Sequence, residues 1–323
     1  MEIRQYTFTS GLYSFSILNL GCAVTAIRTP DRCGRIANVT LPFIGTEADV
    51  ILRSSSFFGM TIGRFANRIA GASFPLSGKT WSFAPNDGPN LLHSGKNGIW
   101  SKIWDIKPTP DGFLCTLFTT QSEDGFPGDA EITVRFSLTA GGDFTIRYSA
   151  ICTAPCPFNL TNHTYFNLTG DPARDILSHT ARINSSSIVE AGAGLIPTGR
   201  ILPVQGTAWD FTAEKTIGRD IDSPALAPAG GYDHAFVLSP GGPFVRITEP
   251  QSGRVLEGFT DMPAVHFYTG NYLDGEFGYH RRHGFCLETE FYPDCVNRPS
   301  FPSCIVRPGE TFESTTLYRF TTC

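Results

Sequence analysis

The sequence predicts an all-β protein, a large antiparallel β-sandwich with few short helices. Its 26 Phe, together with many Val, Ile and Thr, favour strands over helices. Its 33 Gly and 23 Pro are scattered along the whole chain, as expected for many turns between short strands. Apolar and polar residues also alternate between these turns, which is typical of strands with one buried face.

The clearest strands form a hairpin in the middle of the chain. Apolar residues alternate over 132–138, a turn follows at 140–143, and the alternation resumes over 144–148. The same criteria predict further strands at 13–18, 80–83, 112–118, 244–248 and 311–320. No segment predicts a helix of three turns.

The 323 residues could form one large β domain or two ordinary domains. No linker, low-complexity stretch or internal repeat divides them. We therefore expect a single domain over 1–323.

Charge and composition exclude several classes of partner. The net charge is −5 and no run of Lys and Arg occurs, so no nucleic-acid partner is expected. No apolar stretch is long enough for a membrane span, and the N-terminal segment lacks the pattern of a secretory signal. We therefore expect no membrane partner and a cytoplasmic protein. The nine cysteines lack paired CxxC spacing, which argues for reduced thiols rather than a disulfide framework or a zinc ribbon.

Five polar clusters interrupt the apolar pattern. Most combine hydrogen-bonding or titratable side chains with aromatic rings, as a sugar site requires, because hydroxyls need donors and acceptors while the C–H face of a sugar packs on rings. Five such interruptions favour a shared pocket over independent accidents. The clusters are 63–68, 90–93, 162–167, 231–234 and 286–290.

Most of these residues also have an ordinary structural explanation. Arg68 could form a surface ion pair, His93 and His163 could be core histidines, and Asp233 could close a turn. Glu288 is harder to explain in this way. It lies in an apolar strand-like segment, where a buried carboxylate needs a partner.

The clusters, in this order, resemble the aldose 1-epimerase (galactose mutarotase) family. Segments 58–69 and 160–168 resemble its two long signatures. Shorter matches follow at 125–128, 195–199, 267–271 and 288–294. The resemblance implies a galactose mutarotase-like supersandwich with a sugar cleft, and no cofactor or metal.

The resemblance also implies a reaction and the residues that perform it. The family interconverts the α and β anomers of free aldoses such as galactose and glucose. By similarity His163 is the acid and Glu288 the base. By the same similarity His93 assists near the ring oxygen or a neighbouring hydroxyl, Arg68 and Asp233 bind and orient the remaining hydroxyls, and Asn67 positions Arg68.

Two positions depart from the family pattern, because His266 and Glu290 stand where glutamines are common. Glu290 is two residues from Glu288 and shares its strand face, so a charged Glu290 would raise the pKa of Glu288. We hypothesise that His266 belongs to the binding site and forms a compensating pair with Glu290.

Three alternatives stay open at this point. A sugar-binding or regulatory protein would not need both His163 and Glu288. A hexose-phosphate 1-epimerase would need basic residues beyond Arg68, and only Arg281 and Arg282 are candidates. A metal hydrolase would need more than the HxxH-like spacing at 280–283, which we interpret as solvated surface. The preferred aldose is open, as is the choice between monomer and homodimer.

Overall fold

The computed structural model describes residues 2–43, 45 and 47–323. Within these residues the two α-helices are short: α1 (Ala48–Arg53) has six residues and α2 (Gln121–Asp124) has four. The predicted domain 1–323 includes positions 1, 44 and 46, which lie outside the described residues. No helix in the described part of the chain is long and apolar enough to cross a membrane.

The described residues form strands along the whole length. The first half contains β1 (Gln5–Ser10), β2 (Tyr13–Leu18), β3 (Val24–Pro30), β4 (Ile36–Asn38), β5 (Thr61–Ile62), β6 (Arg68–Ile69), β7 (Ser73–Leu76), β8 (Lys79–Ser82), β9 (Leu91–Leu92), β10 (Asp105–Thr109), β11 (Gly112–Thr119), β12 (Ala130–Leu138) and β13 (Asp143–Cys152). The second half contains β14 (Cys156–Pro157), β15 (Thr161–Asn162), β16 (Thr180–Ile183), β17 (Ser187–Ala191), β18 (Pro197–Pro203), β19 (Lys215–Thr216), β20 (Asp233–Val237), β21 (Val245–Thr248), β22 (Arg254–Thr260), β23 (Ala264–Tyr268), β24 (Cys286–Glu290), β25 (Ile305–Val306) and β26 (Phe312–Thr322).

Three larger sheets organise these strands. A nine-stranded sheet has the order β10-β11-β12-β13-β26-β22-β21-β16-β19. A five-stranded sheet has the order β18-β17-β20-β23-β24, and a four-stranded sheet runs β1-β2-β3-β4. Neighbouring strands in all three are antiparallel. The predicted all-β fold class is confirmed.

The two smaller sheets pack against the nine-stranded sheet. Phe15 of β2 contacts Phe113, Phe136 and Phe144, with its ring centroid 5.0 Å from that of Phe144. On the five-stranded side, the Tyr318 hydroxyl of β26 donates to the Leu287 carbonyl of β24 at 2.7 Å. These phenylalanines therefore fill the space between the four-stranded and nine-stranded sheets.

The predicted strands are found close to their expected bounds. The hairpin pairs Leu138 with Phe144 next to the turn and Ala130 with Cys152 at the other end. Its first strand therefore begins before residue 132 and its second strand ends after residue 148. The prediction at 13–18 coincides with β2. The others differ by a residue or two at their ends, because hydrogen bonding to a neighbouring strand, rather than local alternation, sets where a strand ends.

Candidate active site

The seven residues that the sequence analysis assigned to the site line one open pocket of about 550 Å³. They come from segments spread over more than half of the chain. They are Asn67, Arg68, His93, His163, Asp233, His266 and Glu288.

The five-stranded sheet supplies one wall of this pocket. His266 on β23 lies directly opposite Glu288 on β24, and Asp233 on β20 lies opposite Tyr268 on β23. Side chains two residues apart on a strand share a face, so Glu290 lies on the same face as Glu288. Residues paired across neighbouring strands share a face of the sheet, so Asp233, His266 and Glu288 lie together.

Short strand pairs and loops supply the other wall. Arg68 on β6 pairs with Leu92 on β9, which brings the neighbouring Asn67 and His93 together. Both of these residues have left-handed backbones, with φ of 64° and 52°. His163 follows β15, where its N–H donates to the Met60 carbonyl at 2.9 Å.

His163 and Glu288 face each other across the buried end of the pocket. Their nearest atoms, Nε2 and Oε1, are 3.7 Å apart, which is too long for a direct hydrogen bond. Glu288 Oε2 is buried and has no hydrogen-bond partner in the protein. The rings of Phe57, Tyr165 and Tyr268 surround His163. One hydroxyl oxygen of a ligand can therefore hydrogen-bond to both His163 and Glu288.

Burial shifts the two groups in opposite directions. It lowers the pKa of His163 to about 4. It also raises the pKa of Glu288 well above its ordinary value, and the charge of Asp233 adds to that effect while Arg68 opposes it. Both shifts favour the uncharged forms. Burial therefore favours a neutral His163 and a protonated Glu288 in the empty pocket.

Arg68 is both an ion-pair residue and a pocket residue. Its Nε donates to Asp87 Oδ2 at 2.7 Å, which leaves the ends of the guanidinium for other partners. Across the pocket, Asp233 Oδ1 is 2.6 Å from His266 Nε2. Burial raises the pKa of Asp233, but the contact with His266, followed by the charge of Arg68, lowers it by more, so it lies below its ordinary value. Arg68 and Asp233 thus present a cation and a carboxylate to a bound molecule.

One trio in the pocket has spacing that would suit a metal ion. Donor atoms of His93, His163 and Glu288 lie within 4.8 Å of one another. However, the Asn67 backbone N–H donates to His93 Nδ1 at 3.1 Å, so the ring hydrogen of neutral His93 must be on Nε2. A metal on Nε2 would need that hydrogen on Nδ1, facing the Asn67 N–H. The trio therefore suits hydrogen bonding better than metal binding.

His266 and Glu290 are neighbours, as hypothesised from the sequence. His266 Nδ1 is 3.6 Å from Glu290 Oε1, and the Asn67 side-chain nitrogen contacts both, at 3.2 Å and 3.0 Å. Burial, and then the charge of Glu288, raise the pKa of Glu290 well above its ordinary value. The contact between His266 and Glu290 therefore runs through Asn67.

The comparison with known proteins identifies the family. The family model described as aldose 1-epimerase matches residues 4–319. The human galactose mutarotase is 37% identical, with 98% of this chain and 94% of that protein aligned. The aldose 1-epimerase of Escherichia coli K12 is 33% identical, over 94% of this chain and 91% of its own.

The chain belongs to the aldose 1-epimerase family.

Solved structures show the fold of this aldose 1-epimerase family member. The aldose epimerase homologue from C. elegans superposes with a TM-score of 0.92 at 26% identity, over 99% of each chain. The galactose 1-epimerase from Lactobacillus acidophilus superposes with a TM-score of 0.86 at 22% identity, over 100% and 99% of the two chains. The predicted supersandwich is thus the architecture of the family.

Sequence reasoning missed several residues that line the pocket. Tyr165 lies within segment 160–168, which resembles a family signature. Tyr268 is two residues from His266 and therefore shares its strand face, so the sequence could have predicted both as pocket residues. Cys286 lies beside His163, with its sulfur 3.6 Å from Nδ1. Ser55 and Ser56 gave no signal, because their place in the pocket depends on the fold of a loop.

The interpretation of 280–283 as solvated surface is wrong for one residue. Arg282 is buried and donates hydrogen bonds to the Thr269 hydroxyl at 3.1 Å and to the Asn271 side chain. None of residues 280–283 lines the pocket described above. Arg282 therefore stabilises loops and is not available to a ligand there.

Proposed function

We propose that this aldose 1-epimerase interconverts the α and β anomers of free aldoses such as galactose and glucose, with His163 as acid and Glu288 as base. The observation that carries the proposal is the His163–Glu288 pair. Two buried proton carriers face each other at 3.7 Å in an open pocket lined by polar and aromatic side chains. The hemiacetal carbon C1 bears both the ring oxygen, which gains a proton, and the hydroxyl oxygen, which loses one, so one bound sugar can contact both groups.

The reaction needs two proton transfers in each direction. His163 donates a proton to the ring oxygen while Glu288 accepts the proton of the C1 hydroxyl, and the bond between C1 and the ring oxygen breaks. The open aldehyde turns about the C1–C2 bond. Ring closure on the other face of the carbonyl returns the first proton to His163 and the second to the new C1 hydroxyl.

The pair holds one proton throughout this cycle. Before ring opening the proton is on His163 and Glu288 is ionised, whereas after opening it is on Glu288 and His163 is neutral. The second state is the one that burial favours, as the shifts in both pKa values indicate. Burial of the pair therefore favours the open-chain stage. A bound hydroxyl group can pass the proton between Glu288 and His163, which interconverts the two protonation states of the pair.

The other polar groups suit a neutral sugar better than a sugar phosphate. Arg68 is the only Lys or Arg among the described residues that line the pocket, and its Nε is occupied by Asp87. Asp233 and Glu288 lie in the same pocket and would repel a phosphate when ionised. Hydroxyl groups can donate to Asp233 and accept from Arg68 and His93. These contacts favour free aldoses over hexose phosphates.

Polarimetry of freshly dissolved α-glucose and α-galactose tests the proposal. Wild type should accelerate mutarotation above the spontaneous rate, whereas Glu288→Gln and His163→Asn should each lose about 100-fold or more in kcat. His280→Gln, at an exposed residue away from the pocket, is the matched control and should keep full activity.

Two outcomes would contradict the proposal. Folded wild type without acceleration would exclude turnover of these sugars and favour binding without catalysis. Variants as active as wild type would exclude the acid–base assignment while leaving the activity itself intact. Thermal melting of each variant should accompany the assay, to separate lost chemistry from lost folding.

A further inference from the structure

We propose that Asn67 is a positioning residue that fixes the ring hydrogens of two pocket histidines, so that His93 and His266 both carry their hydrogen on Nε2. The inference rests on the proposed function only for its effect on catalysis. The proton positions themselves follow from hydrogen-bond directions around a single residue.

The first step is the orientation of the Asn67 side-chain amide. The Arg68 backbone N–H donates to Asn67 Oδ1 at 2.8 Å. A backbone N–H can only donate, so the atom facing it must be the amide oxygen. The amide nitrogen, Nδ2, therefore points in the other direction, toward His266 and Glu290.

The second step is the use of the two Nδ2 hydrogens. Nδ2 lies 3.0 Å from Glu290 Oε1 and 3.2 Å from His266 Nδ1, so it has one hydrogen for each. An amide NH₂ group cannot accept a hydrogen bond. A hydrogen on His266 Nδ1 would therefore collide with those of Asn67. Nδ1 is left as the acceptor, and the ring hydrogen is on Nε2, from which it donates to Asp233 Oδ1 at 2.6 Å.

The third step concerns His93 and uses the backbone of Asn67. The Asn67 N–H donates to His93 Nδ1 at 3.1 Å, so that ring too has its hydrogen on Nε2. The left-handed backbone of Asn67, with φ of 64°, accompanies this double contact. Asn is one of the few residues other than Gly that adopt this conformation readily. One residue thus directs two histidines, through its backbone and its side chain separately.

This arrangement assigns His266 a different part from the one hypothesised from the sequence. His266 is a relay that accepts from Asn67 at Nδ1 and donates to Asp233 from Nε2, rather than a direct partner of Glu290. A glutamine has the same two functions, with Oε1 as acceptor and Nε2 as donor, which explains how His266 can stand where glutamine is common. The hydrogen bond occupies Asp233 Oδ1 and leaves Oδ2 to accept from a sugar hydroxyl.

Ring ¹⁵N NMR of the sugar-free, histidine-labelled protein at neutral pH reads the hydrogen positions directly. We expect unprotonated Nδ1 and protonated Nε2 for both His93 and His266, assigned by the loss of signals in His93→Gln and His266→Gln. In Asn67→Asp a carboxylate oxygen replaces Nδ2, so His266 Nδ1 should gain a proton. His93 should not change in this variant, because its partner is a backbone N–H, and it serves as an internal control for folding.

A wild-type His266 with a hydrogen on Nδ1 would overturn the proposal. So would an Asn67→Asp protein in which the ring of His266 keeps its wild-type pattern. If Asn67→Asp does not fold, Asn67→Ser removes the same donors without adding a charge, and the wild-type spectrum decides the central claim by itself.

A kinetic comparison tests whether the relay matters for binding. His266→Gln keeps both the acceptor and the donor, whereas His266→Leu removes them, so kcat/KM should be roughly 10-fold higher in the Gln variant, mainly through a lower KM. Equal values for the two variants would exclude a role for the relay in sugar binding. If wild type shows no catalysis at all, the proposed function fails, while the NMR result still decides the hydrogen positions.

Discussion

His163 and Glu288, the proposed acid and base, have pKa values that are shifted chiefly by burial. Neither side chain has a close partner of opposite charge, and their nearest atoms are 3.7 Å apart. Desolvation favours the uncharged form of both side chains. It places the pKa of Glu288 above that of His163, which is the reverse of the order for free side chains. Burial therefore favours the state in which His163 is neutral and Glu288 carries the proton of the pair.

The protonation state of the pair predicts the pH dependence of catalysis. kcat/KM should fall below about pH 4, where His163 becomes protonated in addition to Glu288 and Glu288 can no longer act as base. On the alkaline side it should fall once the pair loses its proton, at a pH well above the ordinary range for a glutamate. Polarimetry at a series of pH values measures both limbs.

An acid limb near pH 6.5, the ordinary value for an exposed histidine, would contradict this account. Circular dichroism at each pH is the necessary control, because acid unfolding also abolishes activity.

Among the elements, the loop that precedes β5 forms hydrogen bonds to both β3 and His163. Gly59 in this loop donates its N–H to the His163 carbonyl at 2.9 Å, and its carbonyl accepts from the Val24 N–H at 2.8 Å. Its φ is +67°, and a Cβ built there would lie 1.9 Å from the Val24 carbonyl oxygen. The loop can therefore approach β3 this closely only with glycine at position 59.

We predict different costs for two glycine substitutions with similar backbones. Gly78, in the turn between β7 and β8, has φ of +74° and nothing within 4 Å of a built Cβ. Gly78→Ala should reduce the free energy of unfolding by about 1–2 kcal/mol through left-handed strain alone. Gly59→Ala should cost on the order of 4 kcal/mol or more, because the backbone must also move. Urea unfolding measures both variants.

Equal losses for the two substitutions would show that the Val24 contact is relieved at little cost. Loss of mutarotase activity in the folded fraction of Gly59→Ala would further show that this loop positions His163.

Across the entire molecule, buried histidines should make folding sensitive to acid. Burial lowers the pKa of His163, His179 and His234 to about 4, and that of His93 well below its ordinary value. Between pH 6.5 and 4 the unfolded chain therefore binds protons that the folded protein does not bind, and stability falls as the pH falls. The raised pKa values of Glu288 and Glu290 act in the opposite direction and offset part of this effect.

We predict a net loss of about 1–3 kcal/mol in the free energy of unfolding per pH unit on acidification below pH 6.5. Denaturant unfolding at pH 7, 6 and 5 measures the slope. His179 is buried, does not line the pocket, and accepts from the Leu168 N–H at 3.1 Å. His179→Gln can keep that acceptor, and it should reduce the slope by about 1.4 kcal/mol per pH unit. An unchanged slope would exclude His179 as a contributor.

The sequence by itself determined the fold class and the chemistry of the site. Phenylalanine content, turn residues and period-two alternation predict strands, because each strand needs one apolar face regardless of what it packs on. Glu288 could be singled out because a carboxylate in an apolar strand is costly without a function. The resemblance, over two long segments, indicated which histidine belongs with it.

Only the tertiary structure decided how these residues meet. The convergence of Arg68, His163 and Glu288 depends on pairings between distant segments, and local sequence does not encode which strands become neighbours. The same holds for the burial of Arg282 and for the double role of Asn67, whose hydrogen-bond partners are 26, 199 and 223 positions away along the chain. Hydrogen-bond directions, and with them the positions of protons, exist only once those partners are in place.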